Sequence, residues 1–172
     1  MRLSTYKILA LIGGILILGL AFYASNNQAN PRMNFPETVV NFTADNVMGG
    51  KSDFESEKGT ATIIVLTASW CPACRAEIPM LMQFHEEFSP KGLKILMIDE
   101  DDSKKVARKF KKSLNIPWTM LHWNYDAIMA LGNPGVIPVS FVVDKDSKIQ
   151  HVDVGAMNEL RVRHELKRLL GK

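Results

Sequence analysis

Apolar residues fall along this chain in three rhythms. From Ile8 to Ala24 they are almost continuous and carry no charge. Thr60–Thr67 is a short β-branched and apolar run, the profile of a strand buried on both faces, and Leu93–Ile98 reads as a second buried strand. Elsewhere apolar residues recur at helical spacing. Ile78, Leu81, Met82, His85 and Phe88 mark a helix over Pro72–Phe88, with Pro79 inside it as an expected kink. Val106, Ala107, Phe110 and Leu114 mark a second, which Ser103 can cap. A third covers Asn158–Leu170, with Val162, Leu166, Leu169 and Leu170 inward. Glu37–Phe42 reads as a short strand. Val139–Val143 and Lys148–Val154 read as two more, joined by the turn-rich Asp144-Lys145-Asp146-Ser147. Gly49-Gly50 and Lys58-Gly59 are turn signals. Strand and helix signals alternate, which predicts an α/β domain with a mixed sheet covered by helices.

The first run stands apart. Arg2 and Lys7 precede it; Asn26, Asn27, Gln28 and Asn30 follow it. As a helix rising about 1.5 Å per residue it spans roughly 26 Å, the short end of what crosses a bilayer. Tyr6 and Tyr23 stand at its ends, where aromatic residues favour the membrane interface. The expectation is an uncleaved membrane anchor over residues 1–25, with a cytoplasmic N-terminus and the remaining chain outside the cytoplasm. A cleaved signal peptide is the rival, but its apolar core is normally shorter, about 7 to 15 residues, and Gly19-Leu20-Ala21 is a weak cleavage site. No cysteine follows the run, so a bacterial lipoprotein is excluded. For a bacterial protein, the expected location is the inner membrane, single-pass, with the domain in the periplasm. Residues 26–34 read as a polar linker and residues 35–172 as the folded domain.

Bulk composition narrows the function classes. The charged fraction of 23% and hydrophobic fraction of 47% are those of a globular protein, and a net charge of +3 does not point to nucleic acid. No zinc-finger, Walker-type or dinucleotide-binding motif occurs. The chain has 2 cysteines, Cys71 and Cys74. A disulfide-stapled scaffold carries more, spread along the chain. A structural zinc site usually needs four ligands, and His85, His122, His151 and His164 form no close pair. Redox chemistry of the Cys71-Pro72-Ala73-Cys74 pair is the leading reading, with no cofactor and no metal expected.

The pair falls where a buried strand hands over to a helix. Unpaired N–H groups and the positive dipole end would stabilise a thiolate on Cys71 there. The thiolate is the attacking species, and cysteines of such pairs ionise well below the free thiol. Cys74, one turn on, is near enough to close a disulfide. Exchange then takes two steps: Cys71 forms a mixed disulfide with a substrate and Cys74 resolves it. Cys71 is expected to be exposed and Cys74 largely buried. Pro72 suits the first helical turn, where its missing N–H costs nothing.

Thr67-Ala68-Ser69-Trp70-Cys71-Pro72-Ala73-Cys74-Arg75-Ala76-Glu77-Ile78-Pro79 resembles the active-site segment of the TlpA/ResA/CcmG group of thioredoxin-like proteins. Gly135 to Asp144, Gly-Val-Ile-Pro-Val-Ser-Phe-Val-Val-Asp, belongs to the same resemblance, which runs over about Asn34 to Leu170. The resemblance implies a thioredoxin-like fold and a membrane-anchored, outward-facing thiol–disulfide oxidoreductase. It implies a redox-active Cys71–Cys74 disulfide and a cis peptide bond between Ile137 and Pro138, packed beside the pair. It further implies substrate pairing along the backbone there by strand addition. Trp70 matches a tryptophan that shapes the rim. Glu77 matches an acidic residue that tunes cysteine acidity or relays protons; an idle glutamate on an exposed helix face is the alternative. Three positions depart from the closest patterns. Thr67 replaces a bulky aromatic, Val65 stands where thioredoxins proper keep a buried aspartate, and Ala73 replaces the more usual proline.

The expected function is reduction of protein disulfides, apocytochrome c among them, with electrons from a membrane thiol transporter. The alternative is an oxidase or isomerase of exported proteins, but the segment between Cys74 and Pro138 is too short for the large helical insertion common in oxidases. A peroxidase of the related peroxiredoxin type would need a Pro-x-x-x-Thr-x-x-Cys motif, which is missing. The basic residues of the helix after Ser103, Lys104 to Lys112, read as a solvated face or as an attraction for anionic headgroups or an acidic partner. Asp99 to Asp102 reads as acids at the positive end of that helix.

Overall fold

The computed structural model describes residues 34–171, so the expected membrane anchor and nearly all of the linker lie outside the described residues. Among the described residues no helix is long and apolar enough to cross a membrane.

The strands are β1 (Thr43–Asn46), β2 (Lys51–Asp53), β3 (Ala61–Thr67), β4 (Leu93–Asp99), β5 (Thr119–His122), β6 (Val139–Asp144) and β7 (Ile149–Val154). The helices are α1 (Phe54–Glu57), α2 (Pro72–Phe88), α3 (Lys104–Ser113), α4 (Tyr125–Ala130) and α5 (Glu159–Leu170). The strands form one sheet in the order β2-β1-β5-β4-β3-β6-β7. β3, β4 and β5 run parallel; the other pairings are antiparallel. β3 has strands on both sides and packed layers on both faces, so all its residues are buried. That is why its sequence is an unbroken apolar and β-branched run instead of an alternating one.

One face of the sheet carries α2, α3 and α5. Leu81 and Phe84 of α2, Phe110 of α3 and Leu166 of α5 share one core with Ile63, Val65 and Met97. The other face buries Phe54 of α1 and Ala127 of α4, with Val39 and Phe42, against Ile64, Leu66 and Ile98. Gly132, at φ +80, lets the loop before β6 pass close to the start of the domain: a Cβ there would stand 2.9 Å from Pro36 Cδ.

Two readings of the sequence need correction. Glu37–Phe42 is not a strand. Thr38 alone bridges to Lys148, and Val39 N–H donates to Ser147 O. Val39 and Phe42 are buried, so their apolar signal reports packing and not a ladder. The strand that forms, β1, is the short, mostly polar Thr-Ala-Asp-Asn, and its hairpin to β2 turns at Gly49-Gly50. Val106, expected inward, is 43% exposed. The buried stripe of α3 runs through Ala107 and Phe110, and one residue along a helix is about 100° of rotation.

Candidate active site

β3 ends at Thr67, and four residues later Cys71 is the N-cap of α2, with Pro72 in the first turn. Cys71 and Cys74 form a disulfide with their Cα atoms 5.3 Å apart. Cys74 N–H donates to Cys71 Sγ at 3.1 Å. A strand that stops at the helix start thus aims the first sulfur at unpaired N–H groups and at the positive dipole end. Both favour negative charge on that sulfur once the bond is reduced.

Cys71 is not exposed as the sequence reading expected. It is 5% exposed, against 1% for Cys74. The bond draws the two sulfurs together beside Ala68, and Ile137 packs over them. Ile137 and Pro138 are joined by a cis peptide bond, and Pro138 is buried. Pro138 O accepts from Gly155 N–H at 2.9 Å, while the Ile137 backbone has no hydrogen-bond partner among the described residues. An extended segment of another chain can pair with it. Trp70 is 65% exposed on the rim, and Pro72 and Ala73 are exposed beside it. The fold therefore gathers Trp70, Cys71, Pro72, Ala73, Cys74, Ile137 and Pro138 at one place.

Glu77, one turn after Cys74, does not lie on an idle exposed face. It is 5% exposed. Its Oε1 accepts from Met157 N–H at 2.6 Å, and its Oε2 has no partner among the described residues. Burial raises its pKa above the ordinary carboxylate range and the Asp153 charge adds to the rise, against the lowering effect of the Met157 N–H.

Two further acids escaped the sequence reading. Asp99 and Asp101 are not merely dipole partners of α3; both are buried. Asp101 Oδ1 accepts from Ser69 N–H at 3.2 Å and from Ser69 Oγ–H at 2.8 Å, and so fixes the turn that carries Cys71. Asp101 N–H in turn donates to Asp99 Oδ1 at 3.0 Å. Asp99 is the ladder partner of Thr67, and side-chain alternation puts both on the face that α2 covers. Asp99 Oδ2 and Thr67 Oγ1 are both buried without partners among the described residues. Val65 bears no acid, but the neighbouring strand β4 ends on a buried one, Asp99. The available signal is a pair of acids at alternating positions 99 and 101, at the end of a mostly apolar strand.

Burial, with the Asp101 and Glu100 charges adding, pushes the Asp99 carboxyl from 3.8 up to about 7. A raised acid pKa means the folded chain keeps a proton that the unfolded chain has already released. Its contribution to stability is greatest near pH 4 and is lost as pH rises to about 7. Asp99→Asn should therefore gain on the wild type as pH rises from 5 to 8, with a limiting slope of about 1.4 kcal/mol per pH unit. Urea unfolding at the two pH values checks this. An equal difference between the two proteins at both would mean that Asp99 ionises normally.

The AhpC/TSA family model matches residues 36–152. The thiol–disulfide oxidoreductase ResA of Bacillus anthracis is 22% identical over 162 residues, covering 94% of this chain and 92% of that protein. The crystal structure of a thiol:disulfide interchange protein of the thioredoxin family from Chlorobium tepidum superposes with a TM-score of 0.69. It is 27% identical and covers 83% of this chain and 100% of that one. The thioredoxin domain of a Bacteroides vulgatus thiol–disulfide oxidoreductase superposes equally well, at 0.69 and 18% identity, and supports the fold alone. With its matched family model, its thioredoxin-like sheet and its disulfide at the start of α2, the chain belongs to the AhpC/TSA family, as a thiol–disulfide oxidoreductase of the TlpA/ResA/CcmG type.

Proposed function

We propose that this protein reduces disulfides of exported proteins, held on the outer face of a bacterial inner membrane by its N-terminal segment. The Cys71 thiolate attacks one sulfur of a substrate disulfide, and the other substrate sulfur leaves as a thiolate. Cys74 then attacks Cys71 Sγ in the mixed disulfide and releases the second substrate thiol. Two electrons pass to the substrate, and the pair ends oxidised. A membrane thiol-transporting donor restores it by the same exchange in reverse. Apocytochrome c, whose cysteines must be reduced before haem attachment, is the substrate class that the TlpA/ResA/CcmG type favours. Roles follow the geometry: Cys71 as nucleophile, Cys74 as resolving thiol, and Ile137 and Pro138 as the docking wall. Trp70, Pro72 and Ala73 form the rim, and Glu77 tunes thiol acidity.

The observation that carries the direction of electron flow is the acid around the pair. Asp101, with Asp99 behind it, holds the turn before Cys71, and Glu77 is buried one turn beyond Cys74. Above the pH at which these acids ionise, their charges oppose ionisation of a nearby thiol and so withhold the stabilisation of the reduced form that makes a strong oxidant. The opposing observation is the N–H that Cys74 donates to Cys71 Sγ, which favours a thiolate and with it the competing reading of an oxidase or isomerase. Equilibrating the full chain against a thiol buffer decides between them. The expected potential lies nearer thioredoxin's value of about −270 mV than the roughly −120 mV of a strong oxidant. A value at the oxidising end overturns the reductase reading.

A further inference from the structure

A basin runs from Pro72 along the outer side of α2 toward α3. Its apolar part has a volume of about 540 Å³ and is lined by Pro72, Ile78, Pro79, Met82 and Leu114, with Arg75 at its border. Arg75 also borders a second depression, of about 270 Å³, together with Lys109 and Phe110. Lys109 borders a third, of about 460 Å³, together with Lys105, Arg108 and Lys112. Among the described residues, no carboxylate lines any of the three. The Arg75 guanidinium lies over the Phe110 ring, 5.7 Å from its centroid, at the seam between the apolar and basic parts.

The cations around the basin divide into two sets. Lys104 pairs with Asp45 at 2.7 Å, Lys111 donates to Ile116 O at 2.7 Å and Arg108 Nε donates to Val47 O; these serve the fold. Arg75, Lys105, Lys109 and Lys112 have no carboxylate partner among the described residues. Lys105 and Lys109 are four apart on one helix, as are Arg108 and Lys112. Like charges at that spacing repel. An occupant that brings negative charge removes this repulsion, and one with an apolar side chain fills the groove beside it.

We propose that this basin docks an acidic, extended polypeptide segment flanking the disulfide of the partner protein, with an apolar side chain seated over Pro79 and Met82. The proposal rests on the disulfide-exchange reading above and adds which partners reach Cys71 fastest. The basin starts at Pro72, the residue after the nucleophile. A segment lying in it leaves its cysteine at Cys71, while the free Ile137 backbone is available to the chain on the other side.

The test uses the reduced full chain in phosphatidylcholine vesicles and two peptide disulfides alike except for acidic or basic flanks. The acidic-flanked peptide should exchange roughly tenfold or more faster, and the preference should fall with added salt. In Lys105→Glu/Lys109→Glu/Lys112→Glu the preference should vanish or reverse. Neutral hydroxyethyl disulfide should react with that variant and the wild type at the same rate. Equal rates for the two peptides, or a preference that the triple variant keeps, would overturn the docking proposal. So would a preference seen in phosphatidylcholine but abolished in phosphatidylglycerol vesicles, since the face would then belong to lipid headgroups. Failure of hydroxyethyl disulfide to react at all would instead strike the exchange reading beneath it.

Discussion

Cys71→Ala should leave disulfide exchange on the order of 10³-fold or more below the wild type, the scale of losing the nucleophile of a covalent mechanism. Cys74→Ala should do something different. It keeps the first attack and loses the second, so mixed disulfides with partner proteins accumulate. The reason for the asymmetry is positional. Cys71 is the N-cap of α2, and its sulfur receives the Cys74 N–H at 3.1 Å. Cys74 is 1% exposed, inside the first turn, and can reach only a sulfur already bonded to Cys71. Non-reducing electrophoresis of the two variants after thiol blocking reads both outcomes. Partner adducts on Cys71→Ala and none on Cys74→Ala would exchange the two roles.

The second large effect is on stability. Phe84→Ala should cost about 3–5 kcal/mol, a large share of the roughly 5–15 kcal/mol that holds a domain of ordinary size. Phe84 is fully buried on α2, its ring 6.3 Å from that of Phe88, with the Arg163 guanidinium of α5 at 5.1 Å. The ring joins the helix that bears both cysteines to the helix that covers the same face. Truncation removes apolar burial and the cation–π contact together and leaves a void where side chains interdigitate. Phe84→Leu should lose distinctly less. Guanidinium unfolding of the oxidised proteins measures both. A cost below about 1 kcal/mol for alanine would mean that α2 is not anchored through this ring.

How far the sequence is legible depends on how local the cause is. β3 and α2 are legible nearly to the residue, because an unbroken apolar run and a long helical period each fix their element without help from elsewhere. The placement of the cysteines at the hand-over followed from those two. β1, β5 and α4 were not seen. They span 4 to 6 residues, and their conformation depends on partners distant in sequence, as where Asp45 pairs with His122. The same holds for the acids. Asp99 and Asp101 sit in a run of four acidic residues that suits a helix start. Only the β3–β4 register brings Asp99 beside Thr67 and lets Asp101 reach Ser69. Glu77 and Cys71 carried no mark of burial either. What covers them comes from Met157 and Ile137, on other parts of the chain.

The place of β3 at the middle of the sheet has a consequence for how the chain acquires its structure. β4 follows β3 after one helix, but the strand on its other side, β6, begins only at Val139. Pairings that span so much chain are slow to form, because the intervening segment must be ordered before the contact repays it. A chain made from its N-terminus therefore presents both cysteines well before Ile137 exists to cover them. Shortening the protein from its C-terminal end has the same effect permanently. A version ending before Val139 would keep the whole Cys71–Cys74 segment yet leave β3 with a bare edge, open to pairing with another copy.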